Sequence, residues 1–241
     1  MLKPSDFFDL GDPLAASLFE GCDYVWQALS KLEAKVKEMV GDSQTILGEV
    51  MEGAYLGENP IFIDRGALIE PGAYVLGPAY IGKNAVVRHG AFVRENVLML
   101  EGSVLGHASE AKNTIMLARA HAPHFNYIGD SILGSGANLG AGTKLSNLTM
   151  VSMKDPATGR RPNLRIGIGD KMYNTGLAKL GAILGDNVQT GCNVVLNPGC
   201  LVGPRTIIYA NVSLRKGYYE PDCVQKLRQA VEGYNLRTHT S

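Results

Sequence analysis

The chain has 241 residues, of which 45% are hydrophobic and 19% charged, a composition typical of globular proteins rather than of disordered ones. The 23 Lys and Arg residues balance the 23 Asp and Glu residues, and this zero net charge excludes the basic footprint of a nucleic-acid binder. The 29 glycines and the low aromatic content of 7% indicate a β architecture dense in turns. No stretch approaches the ~20 apolar residues of a membrane span.

The N-terminus and the cysteines predict a cytoplasmic protein. The first residues include acids and a proline instead of the basic residues and apolar run of a secretory signal. The four cysteines show no CxxC spacing and no close pairs, which favours reduced thiols over a disulfide framework.

The first region, residues 1–43, is predicted to be helical. Apolar residues recur at helical spacing in 12–40, and Asp12 can cap a helix that starts at Pro13. We expect one or two helices here, which either close the open end of the following region or pack on a neighbour.

From residue 63 onward the chain repeats every six residues. A large apolar residue recurs at Ile63, Ile69, Val75, Ile81, Val87, Val93, Met99 and Leu105, and four places later there is usually a small residue, as at Ala67, Ala73, Ala79, Ala85 and Ala91. The same period returns at Leu184, Thr190, Leu196, Val202, Ile208 and Leu214.

A period of six fits neither a helix nor a hairpin, but it fits a short parallel strand followed by a tight turn, three times per coil. The repeat therefore predicts an all-β solenoid, a parallel β-helix of hexapeptide repeats over residues 44–216. Two segments break the period and are expected to be loop excursions, 118–126 and 147–180. Residues 217–241 are predicted to form a short helix over 220–232 and then a tail.

Arg94 and Lys112 are the first candidate site residues. They are one coil apart and each follows the core residue of its repeat, so the solenoid would stack them at roughly 4.8 Å on one face. Two stacked cations favour an anion between them, and phosphate is the natural candidate. The alternative is a solvated face neutralised by Glu95, Glu101 or Glu110.

His124 lies where the repeat fails, with His121 three residues before it and Tyr127 three after. Histidine is the usual general base near neutral pH, which makes His124 a candidate catalytic residue. The pair His121 and His124 also permits a zinc site if His89 or His107 supplies a third ligand.

The stretch His124–Gly134 continues into Ala137–Thr143, and together they resemble a known family. They are similar to the acetyltransferase domain of the bifunctional N-acetylglucosamine-1-phosphate uridyltransferase/glucosamine-1-phosphate acetyltransferases. The archaeal-type sugar-1-phosphate nucleotidylyltransferases look closer still, because counterparts of 112–114, 122–131, 138–143 and 175–191 all occur there. The resemblance covers roughly 45–215 and implies a left-handed sense for the β-helix.

The resemblance assigns roles residue by residue. It implies that His124 is the catalytic base and that Asn147 contacts the acetyl-transfer centre. The substrate-binding residues it implies are Arg94, Lys112, Tyr127 and Asn138, with Arg88 in reserve. The acetyl-CoA contacts it implies are Ala141, Cys192 and Ala210.

The implied function is acetyl transfer from acetyl-CoA, as co-substrate, to glucosamine-1-phosphate or galactosamine-1-phosphate in UDP-N-acetylhexosamine biosynthesis. Sites between subunits imply a homotrimer, and no resident metal is expected. About forty residues precede the repeat, so we expect no pyrophosphorylase activity in this chain. The family's loop lysine has no clear counterpart, and Arg160, Arg161 or Lys179 can replace it.

Two other functions stay open at this point. One is a non-catalytic β-helix that binds a sugar phosphate or serves as a scaffold for a separate sugar nucleotidyltransferase. The other is a zinc-dependent protein of the carbonic-anhydrase type. The neutral charge predicts neither a nucleic-acid nor a membrane partner.

Overall fold

A computed structural model of the protein describes residues 2–150 and 153–228. Most of them form a parallel β-solenoid with three faces, here called sheets A, B and C in the order in which each coil visits them. Sheet A consists of Thr45–Ile46, Ile61–Ile63, Ala79–Ile81, Val97–Met99, Thr114–Met116, Ile132–Leu133, Ala182–Leu184, Cys200–Val202 and Gly217–Tyr219.

The other two faces follow the same plan. Sheet B consists of Glu49–Val50, Leu68–Ile69, Val86–Val87, Val104–His107 and His121–His124, and it continues through Gln189–Thr190, Ile207–Ile208 and Val224–Gln225. Single bridges at Asn138 connect these two parts of sheet B. Sheet C consists of Tyr55–Leu56, Tyr74–Val75, Phe92–Val93, Glu110–Lys112, Tyr127–Gly129, Lys144–Leu145, Val195–Leu196 and Ser213–Leu214.

The six-residue repeat forms the interior of this prism. Ile63, Ile69 and Val75 lie on sheets A, B and C of one coil, and all three side chains are fully buried. The small residues Ala67 and Ala73 are buried between them, at the turns where the chain passes to the next face. Both series of repeats point inward in this way, which confirms the predicted parallel β-helix.

The loop excursion expected at 118–126 is wrong. His121–His124 is a strand of sheet B and pairs in parallel with Val104–His107. Val104 pairs with His121, whereas Val86 pairs with Val104, so this coil is one residue shorter than the coil before it. The predicted shift in phase is therefore present, but it comes from a shortened coil.

The second break, 147–180, is an insertion between two coils. Ile132 pairs directly with Ile183, so the stack of coils continues across it. The insertion contains an antiparallel hairpin of Arg165–Ile168 and Lys171–Asn174, and Ile166 on it is buried.

The N-terminal region contains the two helices that the spacing predicts, Pro13–Leu18 and Gln27–Val40, after a short 3-10 turn at Pro4–Asp6. The carboxylate of Asp12 accepts a hydrogen bond from the Ala15 N–H at 2.8 Å, as expected of a capping residue. The second helix packs against the outer face of sheet A, and the first helix packs against the second.

This packing answers where the helices lie. The apolar side of the second helix meets the outward side chains of sheet A, among them Leu98 and Ile115. The helices do not close the end of the solenoid, where Ile46 and Tyr55 of the first coil are exposed. The outer face of sheet A offers the helices a continuous apolar surface, whereas the open end of the solenoid offers a smaller surface.

The helix expected over 220–232 is wrong for the part of it that is described. Val224–Gln225 is a strand that pairs with Ile207–Ile208, so the solenoid continues into this segment. Residues 229–232 lie outside the described residues. Within 2–150 and 153–228, no helix is long and apolar enough to cross a membrane.

Candidate active site

The turn between sheets B and C, here called the B/C corner, stacks one residue from each successive coil. The column contains His89, His107, His124, Ala141, Cys192 and Ala210. The N–H of the residue after each member donates to the carbonyl of the member one coil earlier, as Phe125 does to His107 at 2.9 Å and Gly142 to His124 at 3.0 Å. The predicted base and the three predicted acetyl-CoA contacts therefore lie in one line along the solenoid axis.

His124 is exposed at this corner. Its backbone N–H donates to Asn126 Oδ1 at 3.1 Å, which fixes the turn, while its imidazole contacts no partner in the described part of the chain. Asn138 lies beside the column on sheet B, half-buried, and bridges to His121 and Gln189. The imidazole is thus accessible to a bound molecule.

The histidines of the column do not converge on a metal. The rings of His89 and His107 stack at 5.5 Å with an angle of 6°, and the Nδ1 of each lies within hydrogen-bond distance of a backbone carbonyl. Side by side, their outer nitrogens cannot meet at one ion. Among residues 2–150 and 153–228, no group of three His, Cys, Asp or Glu side chains is placed to hold a metal.

The opposite edge of sheet C, here called the C/A corner, carries the predicted anion site. Val93 pairs with Ala111, so Arg94 and Lys112 follow in register and stack as the repeat predicts. Lys112 is in turn the strand partner of Gly129. Both cations are partly buried, with about a third of the Arg94 side chain and 22% of the Lys112 side chain exposed.

Two carboxylates join these cations into a row. Lys112 Nζ lies 3.1 Å from Glu95 Oε1, Arg94 Nε lies 3.5 Å from Glu95 Oε2, and Arg94 Nη1 donates to Glu110 Oε1 at 2.8 Å. Of the three acids considered as neutralising partners, Glu95 and Glu110 take this role, while Glu101 pairs with Lys83 at 3.9 Å.

The ion pairs shift the ionisation of the row. The hydrogen bond to Glu110 raises the pKa of Arg94. Burial acts to raise the pKa of Glu95, but hydrogen bonds from its own backbone and from Lys112 outweigh this and hold that pKa below its usual value. Both shifts favour the charged forms of Arg94 and Glu95.

Tyr127 and Asn147 converge next to the row. A side chain at Gly129 would lie 2.8 Å from the Tyr127 hydroxyl and 2.6 Å from the Asn147 Nδ2, so this glycine keeps the space between them open. Burial raises the pKa of Tyr127, and the charges of Glu110 and Asp130 raise it further. The phenol thus stays protonated and can donate a hydrogen bond.

Asp130 is a further residue of this candidate site, and the sequence analysis does not single it out. Its carboxylate is buried and accepts hydrogen bonds from Asn113 Nδ2 at 2.9 Å and from Asn147 Nδ2 at 2.5 Å. Because the amide nitrogen of Asn147 faces Asp130, its oxygen faces away. The sequence signal that could identify Asp130 is its position, because it is an aspartate at a coil corner, where the backbone is left-handed with φ of 47°.

The remaining predicted residues lie around these two groups. Arg88 precedes His89 at the B/C corner, far from Lys112 on the coil. Lys179 is exposed at the end of the insertion. There the insertion rejoins the solenoid, and the N–H of Leu180 donates to the carbonyl of Asn147 at 3.1 Å. Arg160 and Arg161 lie farther along the insertion.

Neither group is enclosed by the chain itself. In the described ranges no hydrogen bond or ion pair joins His124 to the row of Arg94 and Lys112. A partly open cavity of about 470 Å³ lies elsewhere, between the N-terminal segment and the turn from sheet A to sheet B, and none of the predicted site residues lines it.

Comparisons with known proteins agree with the sequence resemblance. The bifunctional protein GlmU of Methanococcus maripaludis strain S2 is 34% identical over 84% of this chain and 44% of its own length. The uncharacterized acetyltransferase YaiX of Escherichia coli O6:K15:H31 is 33% identical over 83% of this chain and 80% of its own. The chain spans less than half the length of the bifunctional relatives.

A solved structure gives a weaker likeness. UDP-N-acetylglucosamine acyltransferase from Campylobacter jejuni is 16% identical over 76% of this chain and 70% of that chain, with a TM-score of 0.30, too low to support a conclusion. The GMPPB C-terminal domain family matches residues 75–216, more than half of the chain. The chain therefore belongs to this family, and two of its sequence relatives, from Sulfurisphaera tokodaii and Escherichia coli, are named as acetyltransferases.

Proposed function

We propose that the protein is an acetyl-CoA-dependent N-acetyltransferase whose acceptor is an amino-sugar 1-phosphate, glucosamine-1-phosphate or galactosamine-1-phosphate. The observation that carries the proposal is the B/C corner. His124, Ala141, Cys192 and Ala210 occupy one exposed column, three coil steps long, and three steps at ~4.8 Å amount to about 14 Å. An extended pantetheine arm laid along this column would bring its thioester to the histidine.

The reaction is a direct transfer. The imidazole of His124 takes a proton from the amine as the amine nitrogen attacks the thioester carbonyl. The C–S bond then breaks, coenzyme A leaves as the thiol, and the amide of the N-acetyl sugar remains. Arg94 and Lys112 hold the phosphate, which fixes the amine near the thioester.

Asn147 and Tyr127 contribute polar contacts at the acceptor. With its amide nitrogen turned to Asp130, Asn147 presents its oxygen as an acceptor for the amine N–H or a sugar hydroxyl. The neutral phenol of Tyr127 supplies a donor beside it. Lys179, whose chain neighbour Leu180 donates its N–H to the carbonyl of Asn147, takes the place of the family's loop lysine.

The site is proposed to be shared between copies of the chain. Five residue steps, roughly 15 Å of extended strand, separate His124 from the position of Gly129 at the C/A corner. A sugar phosphate is shorter than this, so a second copy that sets its B/C corner against the first copy's C/A corner would complete the site. A homotrimer supplies three such contacts, because a closed ring repeats one contact between unlike surfaces.

The test is release of the coenzyme A thiol from acetyl-CoA with each amino-sugar 1-phosphate. We expect turnover with one or both acceptors and a loss of roughly 10²–10⁴-fold in His124→Ala. The matched control is His89→Ala, two coils earlier in the same column, which should keep full activity.

Absence of turnover with both acceptors, from a folded oligomer that binds acetyl-CoA, would contradict the proposal. That result would favour the alternative function, a non-catalytic scaffold that binds a sugar phosphate and serves a separate nucleotidyltransferase. The nucleotidylyltransferase part of the name of one bifunctional relative, from Sulfurisphaera tokodaii, motivates that alternative.

A further inference from the structure

The row at the C/A corner has two unlike ends. It runs from Lys112 through Glu95 and Arg94 to Glu110, with alternating charge. At one end Lys112 uses its ammonium for a single carboxylate oxygen. At the other end Glu110 uses Oε1 for Arg94, while its Oε2 accepts no hydrogen bond from any residue in 2–150 or 153–228.

The side chain of Glu110 is partly accessible and lies beside the site. About a third of this side chain is exposed, and Glu110 lies between Phe92 and Tyr127 on the outward face of sheet C, in register with both. The charge of Glu110 raises the pKa of Tyr127, as expected of a carboxylate close to that phenol.

A carboxylate at this position is unfavourable for a ligand that is only anionic. Glu110 already occupies one nitrogen of Arg94, and its negative charge repels a phosphate that approaches the same guanidinium. A ligand that carries an ammonium next to its phosphate has the opposite balance, because the ammonium can bind Oε2 while the phosphate binds Lys112 and the remaining Arg94 nitrogen.

We propose that Glu110 is a specificity-determining residue that binds the ammonium of the acceptor and selects amino-sugar phosphates over neutral sugar phosphates. The inference rests on the proposed function, since it takes the amino-sugar 1-phosphate as the acceptor. It adds a role for a carboxylate that the resemblance does not assign, and that role is in ligand binding, before any proton is transferred.

The test is binding by calorimetry at pH 7, with no acetyl-CoA present. The two probes are glucosamine-1-phosphate and glucose-1-phosphate, which differ at one substituent. The wild-type protein should bind the amino sugar more tightly. In Glu110→Gln, which keeps a side-chain oxygen for Arg94, we expect glucosamine-1-phosphate to bind about tenfold more weakly and glucose-1-phosphate to bind equally well or more tightly.

Because the affinities for the two sugars are expected not to fall together, the test distinguishes a ligand contact of Glu110 from a purely structural role. Equal losses for both sugars, or no change for either, would overturn the inference, and so would a wild-type protein that binds the two sugars alike. A wild-type protein that binds neither sugar would instead contradict the proposed function. Glu101→Gln, which breaks a comparable exposed ion pair with Lys83, should leave both affinities unchanged.

Discussion

Sheets A and C are built from the same coils and yet differ completely on their outer faces. On sheet A the outward residues are apolar and buried, as Leu98, Ile115 and Ile132 illustrate, because the N-terminal helices and the inserted hairpin cover them. On sheet C the outward positions include Glu110, Tyr127 and Lys144, and nothing in the described chain covers them.

The difference shows that the inward and the outward residues of this fold have separate roles. Inward residues repeat every six positions and specify the coil, while outward residues are free to vary and decide what each face does. One face has become a second hydrophobic core, and another holds charges and hydrogen-bonding groups in register. Catalysis is therefore expected at the edges of sheet C.

The largest effect is expected from a charge placed on the covered face. Leu98→Asp should lower the free energy of unfolding by roughly 3–5 kcal/mol, because a carboxylate would be buried under the helices with no partner. Denaturant unfolding would measure it. Tyr74→Asp, at an outward position of sheet C where the side chain is 40% exposed, should cost less than about 1 kcal/mol, and equal losses at both sites would contradict the contrast between the faces.

An intermediate effect is expected from the carboxylate that orients Asn147. Asp130→Asn should lower kcat about tenfold and leave the KM for acetyl-CoA unchanged, because the new amide no longer fixes which end of Asn147 faces the acceptor. Steady-state kinetics with a saturating acceptor would measure both constants. The control is Asp155→Asn, which removes only a loop cap formed with the N–H groups of Ala157 and Thr158.

A double variant decides whether Asp130 acts through its neighbour. If it does, Asp130→Asn combined with Asn147→Ala should be no slower than Asn147→Ala alone. Additive losses in kcat would mean that Asp130 has a separate role.

The smallest effect concerns two cysteines, Cys192 at the B/C corner and Cys200 in sheet A. Cys192 is exposed in the B/C column and should react with iodoacetamide at pH 8, about tenfold more slowly when acetyl-CoA is present. Cys200 should stay unmodified, because burial raises its pKa to about 12 and leaves almost no thiolate at that pH. Peptide mass spectrometry would follow both sites, and an unchanged rate at Cys192 would argue against acetyl-CoA at this corner.

Much of the fold is predictable from the sequence because the interior is periodic. The residues from Ile63 to Leu105 mark every side of the first coils, and Asp12 marks the start of the first helix. The strand at His121–His124 was missed because a coil can lose one residue at a turn and keep its register, which in a sequence looks the same as a broken repeat. The final strand was missed because Val224–Gln225 lies in a segment whose apolar spacing also suits a helix.

The candidate site is predictable in part for the same reason. The stacking of Arg94 over Lys112 follows from the coil length alone. The pairing with Glu95 and Glu110 does not, because it depends on side-chain rotamers at a corner, and several acids were within reach. The contact between Asp130 and Asn147 spans one coil, but only the left-handed turn at Asp130 aims its carboxylate along the axis.

The members of the B/C column are also evenly spaced along the solenoid axis. Each member lies one coil from the next, so the gap between His124 and any partner on this corner can change only in whole steps of about 4.8 Å. Losing or duplicating a coil between His124 and Ala210 would leave the interior packing intact. It would nevertheless shorten or lengthen the distance between these two residues by one coil step. In the proposed function, the number of turns between His124 and Ala210 therefore sets the length of pantetheine arm that fits the column.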